Sequence, residues 1–322
     1  MENADVEKGD FVMKLATSTG DYAEYVDSVV GRVREFKGSK FKNINLELSG
    51  SLTELFTPND DWKRLAGELA EAASYAGIKY VVAHAPCLNV FQHDSEEGYR
   101  SDVDAIRRSL EVCHVLGIDR IVVHACPKKE FTVEEFWAKN KAFYSEFFDL
   151  MEKYNIMVLT ENWDNPDTHL STGEEIRAFL DYVNHPLLAA CWDTAHGNID
   201  PKARAIGQYP NIVAIGDKLK GMHISDNFGD VHHHTWPFAG IINFDAVTQG
   251  LLDVNYDGYF TFEASYTLLH RRNLPYHRKP WIRDGEPVTK LLSPSIELKK
   301  KAVDLLYETG KYILETYDCF EE

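Results

Sequence analysis

SYAGIKYVVAHAPC (74–87) and HVLGIDRIVVHACP (114–127) align without a gap. Each has a Gly where a helix would end, then an apolar β-rich run, then His-Ala at the end of that run. Residues 84 and 124 stand 40 apart, about one β/α unit. The same rhythm continues on both sides. Further short apolar runs are FVMKLAT (11–17), NINLEL (43–48), IMVLTE (156–161), LLAACWD (187–193), LKGMHIS (219–225) and GYFTFEA (258–264). With KYVVAHA (79–85) and DRIVVHA (119–125) they predict eight strands. Most are near-continuous apolar runs rather than alternations, as expected of a parallel sheet covered by helices.

The segments between them carry helix signals. Ser171 and Glu174 have capping-box spacing before Ile176, Phe179, Leu180 and Val183, and Asn184 and Pro186 stop that helix. Thr132 and Glu135 form a second box ahead of an aromatic helix running to about Tyr154. Ile106, Leu110 and Cys113 share a face of a third helix that ends at Gly117. A last helix is expected over about 295–318. The pattern predicts an α/β fold, a single (β/α)8 TIM barrel spanning 1–322. A doubly wound open sheet is the runner-up, but its Gly-rich first turn is missing. One segment breaks the rhythm. ASYTLLHRRNLPYHRKPWIRDGEPVTKLLSP follows the eighth strand and makes a long loop at about 265–294, with Tyr266, His270, Arg271, Arg272, Tyr276, His277 and Trp281. A loop of that length is expected to close over a site or reach a neighbouring subunit, or else to be a passive surface loop.

Composition narrows the class. The chain has 322 residues, 44% of them apolar, enough for a large core, with 34 Lys and Arg against 51 Asp and Glu and a net charge of -17. That balance argues against a nucleic-acid partner, although bulk charge does not describe a cleft. No apolar run approaches the ~18 residues of a membrane span. The opening MENADVEKGD is too acidic for a secretory signal. Cys87, Cys113, Cys126, Cys191 and Cys319 are odd in number with no CxxC pair. They read as reduced thiols in a cytoplasmic protein.

In a (β/α)8 barrel the chemistry stands at the C-terminal strand ends. Those ends carry Glu47, His84, His124, Glu161, Asp193, His223 and Glu263 on strands two to eight. Asp, Glu and His make up about one residue in five, so chance would place far fewer there. Glu161, Asp193, His223 and Glu263 follow one another over strands five to eight. Three carboxylates and an imidazole at one point repel unless a cation neutralises them. The oxygen-rich set suits Mn²⁺ first, with Mg²⁺, Co²⁺ or Zn²⁺ as alternatives. The plain alternative is a set of separately solvated loop residues. His196, three residues after Asp193, could ligate, bind substrate or cap a helix. HISDNFGDVHHHTWPFAG (223–240) is His-rich. Trp163, Trp236 and Phe238 could form a wall for a sugar ring, or pack at the rim.

At these residues the chain resembles the xylose isomerase-like TIM-barrel superfamily, which contains the sugar phosphate isomerase/epimerase proteins. VLTENW, WDTAHGN, MHISDN, PFAGIINFDAV and YDGYFTFEAS carry the likeness over nearly the whole chain. It implies metal ligation by Glu161, Asp193, His223 and Glu263, with Glu161 and Glu263 also moving the proton. It implies substrate contact by His196, and Glu47, His84, His124, His234, Trp163, Trp236 and Phe238 complete the expected substrate-binding set. The nuclease branch adds two earlier histidines, matched by His84 and His124, and an Asp-x-His pair, matched by Asp230 and His232 if read directly. The sugar-branch pattern H-x-S-D-N-D-G-x-x-D-x-H-x-x-P-F-x-G instead starts at His223 and places its later His on His234. Its Asp then falls on His232, a departure from the pattern. The Gly-Glu-Gly run of the nuclease branch is replaced by Phe-Ala-Gly.

The expected function is therefore a metal-dependent sugar isomerase/epimerase acting on a keto-sugar or oxo-glycoside, by proton abstraction next to a carbonyl through an enediolate. It stands closest to the keto-glucoside epimerase and C-glycoside deglycosidase larger-subunit group. The alternatives are a C-glycoside-cleaving lyase subunit using the same enolate, and an endonuclease IV-type apurinic-site nuclease. The expected partner is a small carbohydrate, with a homo-oligomer or a hetero-complex with a small subunit both open.

Overall fold

A computed structural model describes residues 11–49, 53–57, 61–165, 168–266, 268, 281–288 and 294–322. All eight expected strands form: β1 (Leu15–Ser18), β2 (Asn43–Glu47), β3 (Lys79–His84), β4 (Arg120–Val122), β5 (Met157–Glu161), β6 (Leu188–Asp193), β7 (Leu219–His223) and β8 (Phe260–Phe262). They pair in parallel in the order β7-β6-β5-β4-β3-β2-β1-β8. The circle closes between its two ends. Ile224 N donates to Thr261 O at 2.8 Å, and Glu263 N donates to Ile224 O at 3.0 Å. Helices alternate with the strands, so the fold is a (β/α)8 barrel.

The strand period of two decides what fills the barrel. Outward residues such as Val158, Ile121 and Phe260 join the large core under the helices. Ala16, Val82, Val122, Leu159, Ala189 and Cys191 form a separate, smaller cluster drawn from neighbouring strands. Two residues further along each strand stand Ser18, His84, His124, Glu161, Asp193 at the end of β6, and His223. An apolar layer of small residues thus underlies a polar one. Gly221 belongs to that lower layer: a Cβ there would meet Leu159 Cδ1 at 2.6 Å. At the other seam Gly310 lets the last helix, Ile296–Thr316, lie on the barrel, where a Cβ would meet Phe262 at 2.7 Å and Leu15 at 2.9 Å. The two ends of the described chain then clasp. Met13 N donates to Cys319 O at 2.7 Å, and Glu321 N donates to Met13 O at 2.9 Å.

Three local expectations need correction. The capping box ahead of Gly173–Val183 uses Thr172 and Glu175, one residue later than Ser171 and Glu174, and Ser171 N also donates to Glu175 Oε2 at 2.9 Å. The helix expected from Thr132 to Tyr154 breaks into Val133–Ser145 and Phe148–Tyr154. At the break Glu146 N and Phe147 N bond three residues back, and Arg107 takes the Glu146 carbonyl. Lastly, β4 and β8 are short, so His124 and Glu263 lie just beyond the last strand residue.

In the 265–294 region, Trp281–Arg283 and Glu286–Val288 form an exposed antiparallel hairpin (β9, β10) turning at Asp284-Gly285. Residues 269–280, with His270, Arg271, Arg272, Tyr276 and His277, lie outside the described residues. Among the described residues no helix is long and apolar enough to cross a membrane. The cysteines are unpaired, four buried and Cys87 exposed.

Candidate active site

The alternation that points Leu159 inward also points Glu161 inward, and the same holds for Cys191 with Asp193 and Gly221 with His223. Pairing fixes their heights: Asp193 stands opposite His223, and Glu161 opposite Cys191. One ligand atom from each of Glu161, Asp193, His223 and Glu263 lies within 4.8 Å of the others. His223 Nδ1 is 3.1 Å from Glu161 Oε2 and 3.4 Å from Glu263 Oε2. Glu161, Asp193 and His223 are at most 1% exposed.

These groups are buried and left unsatisfied. Both Glu161 oxygens, Asp193 Oδ2 and both His223 nitrogens lack a hydrogen-bond partner, although imidazoles lie within ion-pair range. Buried charge without directed hydrogen bonds is costly. A divalent cation among these four side chains would satisfy them together, so the residues present fit a metal of the oxygen-preferring kind with one nitrogen ligand.

The two glutamates are electrostatically unlike. Burial alone would push the Glu161 carboxyl up, but the facing His223 and His124 imidazoles hold it well below the usual range. Glu263 is pushed up to about 8 by burial. His223 pulls against this, and the Glu47, Glu161 and Asp193 carboxylates add to it. Environments that separate two carboxyls in this way suit one to accept a proton and the other to hold one. A bound dication would draw Glu263 back down.

Around this centre stand the other expected residues. His196 N donates to Asp193 Oδ1 at 2.7 Å, and its Nδ1 lies 3.3 Å from Glu161 Oε1 and 2.8 Å from the Asn162 carbonyl. Burial works against a charged His196, yet Asp193 and Glu161 raise it to about 10. His84 Nε2 and His124 Nε2 are 3.2 Å apart, and 3.7 and 3.5 Å from Glu161 Oε2. Burial drives His124 down to about 3. The Trp163 ring lies against His124 with centroids 4.5 Å apart. Glu47, 8% exposed, accepts from Ser18, Asn45 and Ser49 at 3.0–3.1 Å.

In the His-rich tract both His232 and His234 reach the site. Their rings are 3.6 Å apart, and His232 faces His196 at 4.4 Å. His234 Nδ1 contacts the Glu263 carbonyl at 2.8 Å. Asp230 turns outward, its side chain 65% exposed beside His233. The Asp230–His232 pair of the nuclease register therefore does not form. Asp164 instead groups with His196 and His232, bringing to the site a carboxylate where the sugar-branch Asp is missing.

Phe238 has a positive φ of 73°, is 62% exposed and lies edge-on to Phe244 and Tyr312. Trp236 packs against the large core. One residue that sequence reasoning passed over holds the centre together. Asn162 Nδ2 donates to Asp193 O at 2.9 Å, and Asn162 Oδ1 accepts from Asp193 N at 2.6 Å. It sits inside VLTENW, but only the adjacency of β5 and β6 shows what it does.

The dense acid and imidazole cluster stands at the C-terminal strand ends, where (β/α)8 barrels place their chemistry. Residues 41–285 match the family described as xylose isomerase-like TIM barrel, and the chain belongs to that family. Inosose isomerase of Bacillus velezensis is 23% identical over 208 residues, covering 61% of this chain and 71% of that protein. The 3-keto-D-glucoside 4-epimerase YcjR from E. coli superposes with a TM-score of 0.63 at 18% identity, over 92% of this chain and 99% of that one. The IOLI protein with a bound zinc atom superposes with a TM-score of 0.65 at 18% identity, over 95% and 99% of the two chains. At such identity the two structures speak for the fold.

Proposed function

We propose that this protein is a metal-dependent sugar isomerase/epimerase that moves a proton on carbon next to a carbonyl, acting on a keto-sugar or an oxo-glycoside. One observation carries the reading. Glu161 and Glu263 reach a single buried centre from β5 and β8, and their carboxyls are driven in opposite directions. The isomerase and epimerase identities of its relatives support it.

Glu161, Asp193, His223 and Glu263 hold the ion, Mn²⁺ by preference, which when bound supplies Lewis acidity that favours negative charge on the carbonyl oxygen. One glutamate accepts the proton from carbon, and the other delivers a proton to the resulting enediolate. Delivery to the same carbon epimerises it, and delivery to the neighbouring carbon interconverts aldose and ketose. His196, held by Asp193 and Asn162, and His234, held by the Glu263 carbonyl, bind hydroxyls and oppose charge at oxygen. The buried His84–His124 pair and Trp163 shape the wall on the β3–β4 side. Expulsion of a glycosidic group from the same enediolate would make the enzyme a lyase.

The test is solvent exchange. In D₂O a panel of keto-sugars and 3-oxo-glucosides gains deuterium at the carbon beside the carbonyl, in a Mn²⁺-dependent way. Glu161→Gln and Glu263→Gln suppress the exchange, with metal content measured in each. No exchange on any substrate overturns the reading.

A second reading rests on the convergence of His84 Nε2, His124 Nε2 and Glu161 Oε2. These atoms are placed as a further metal site would be, as in a multi-metal apurinic-site nuclease. More than one ion per chain, with nicking of an abasic duplex, would favour it.

A further inference from the structure

One fully buried lysine has no part in the proton transfer proposed for Glu161 and Glu263. Lys299 stands near the start of the last helix, Ile296–Thr316, and is 1% exposed. Whole lysines are almost never buried unless paired. The charges that face it, Asp21 and Glu24, lie in the segment after β1. Asp21 is likewise 1% exposed, and its Oδ2 accepts from Thr17 Oγ1 on β1 at 2.7 Å. Asp21 Oδ1 has no hydrogen-bond partner. The ammonium instead reaches a backbone oxygen: Lys299 Nζ donates to the Ser265 carbonyl at 2.8 Å.

Ser265 is two residues past Glu263, where the sheet no longer holds the chain. β8 ends at Phe262. Glu263 keeps one bond to the continuation of β7, its N–H donating to Ile224 O at 3.0 Å. The next ties run to the His-rich tract: the Glu263 carbonyl meets His234 Nδ1 at 2.8 Å, and Tyr266 N donates to His234 O at 3.1 Å. That tract is itself a loop. Lys299 ties the same segment to a helix that lies directly on the barrel, the contact that Gly310 permits. An apolar pair in place of a buried Lys and Asp is often as stable or more so, and stability alone is therefore a poor reason to keep them. A bond from a charged donor is stronger than a neutral one and fixes a position. We infer that Lys299 is a positioning residue for Glu263: by holding the Ser265 carbonyl, it sets where the Glu263 carboxylate meets the ion and the reacting carbon. This rests on the role proposed for Glu263 and adds a residue from outside the ligand set.

The test uses Lys299→Met and the double variant Lys299→Met, Asp21→Asn, the second of which leaves no Asp21 carboxylate buried without its cation. Both are compared with the wild type at saturating Mn²⁺. The measurements are urea titration, metal stoichiometry and the electron paramagnetic resonance of the bound ion, which responds to the geometry of its ligands. The double variant should unfold cooperatively and hold as much Mn²⁺ as the wild type, with a changed resonance. On the keto-sugar or 3-oxo-glucoside that the wild type exchanges fastest, kcat for deuterium exchange should fall about 10- to 100-fold, the usual effect of a lost supporting group, with KM little changed. An unchanged resonance or an unchanged kcat overturns the inference, whatever happens to stability, because a mere brace of the fold would move stability alone. Failure of both variants to fold also overturns it, since Lys299 would then hold the barrel and not the glutamate. If the wild type binds Mn²⁺ but exchanges no sugar, the isomerase/epimerase reading falls by itself, and the resonance of the double variant decides the positioning.

Discussion

The two mouths of this barrel are built from the same strands and treat charge in opposite ways. At the N-terminal mouth three cations have an acid beside them. Lys14 meets Glu321 at 2.8 Å, Arg120 meets Asp119 at 3.0 Å and Lys220 meets Asp257 at 3.1 Å, all partly solvated. At the C-terminal mouth, two carboxylates and an imidazole at most 1% exposed, those of Glu161, Asp193 and His223, crowd together with polar atoms left without hydrogen-bond partners. A surface made for stability neutralises itself. A surface left unsatisfied under burial is completed only by what it binds. The contrast locates the chemistry more firmly than any single residue at the site.

The sharpest way to break the contrast is to remove a ligand from the upper mouth. Asp193→Asn should lower metal affinity by at least about 100-fold, beyond what supporting residues usually contribute, and abolish exchange. The metal-free fold should be retained, since an unpaired buried charge is removed. Equilibrium dialysis with elemental analysis, beside thermal melts, checks both parts. Full metal occupancy in this variant would dissolve the site as drawn.

Next in size is Asn162→Ala. It deletes both hydrogen bonds to the Asp193 backbone while leaving every proposed ligand in place, so about a 10- to 100-fold fall in metal affinity or exchange rate is expected. If Asn162 merely braces the fold, stability will drop with metal affinity unchanged. Gly221→Ala probes the layer between the mouths. Its Cβ would press on Leu159 at 2.6 Å, and urea titration should show a loss of about 1–3 kcal/mol. Smallest is Lys220→Ala at the lower mouth, with a stability change of at most about 1 kcal/mol and exchange untouched. A large effect there would mean that the lower mouth is more than self-neutralising.

Much of this was legible in the sequence, for a physical reason. A covered parallel strand must be apolar over several residues, so eight such runs separated by helix signals could be counted. Because side chains alternate, a polar residue ending such a run, as Glu161 does after Leu159, points into the barrel mouth. What stayed hidden depends on directions that no spacing encodes. Phe238 turns outward because its backbone is left-handed there. Asp164 joins His196 and His232 only through the path of the β5 loop. The capping box slipped by one residue because Ser171 and Thr172 are both good caps, with Glu174 and Glu175 both within reach. Asn162 was invisible because its partners belong to the neighbouring strand.

The clasp between Met13 and residues 319–321 has a consequence for how the barrel comes into being. Its bonds join positions some 300 residues apart, among the most distant in the chain. Loop closure over such separation makes these contacts late ones in folding. Until the last helix docks through Gly310, the β1–β8 seam is supported from one side only, and a strand edge there is open to foreign pairing. The most vulnerable period for this protein is thus the interval of its own synthesis between β8 and the last helix, when the whole acid and imidazole cluster has been made but the ring that holds it has not been locked.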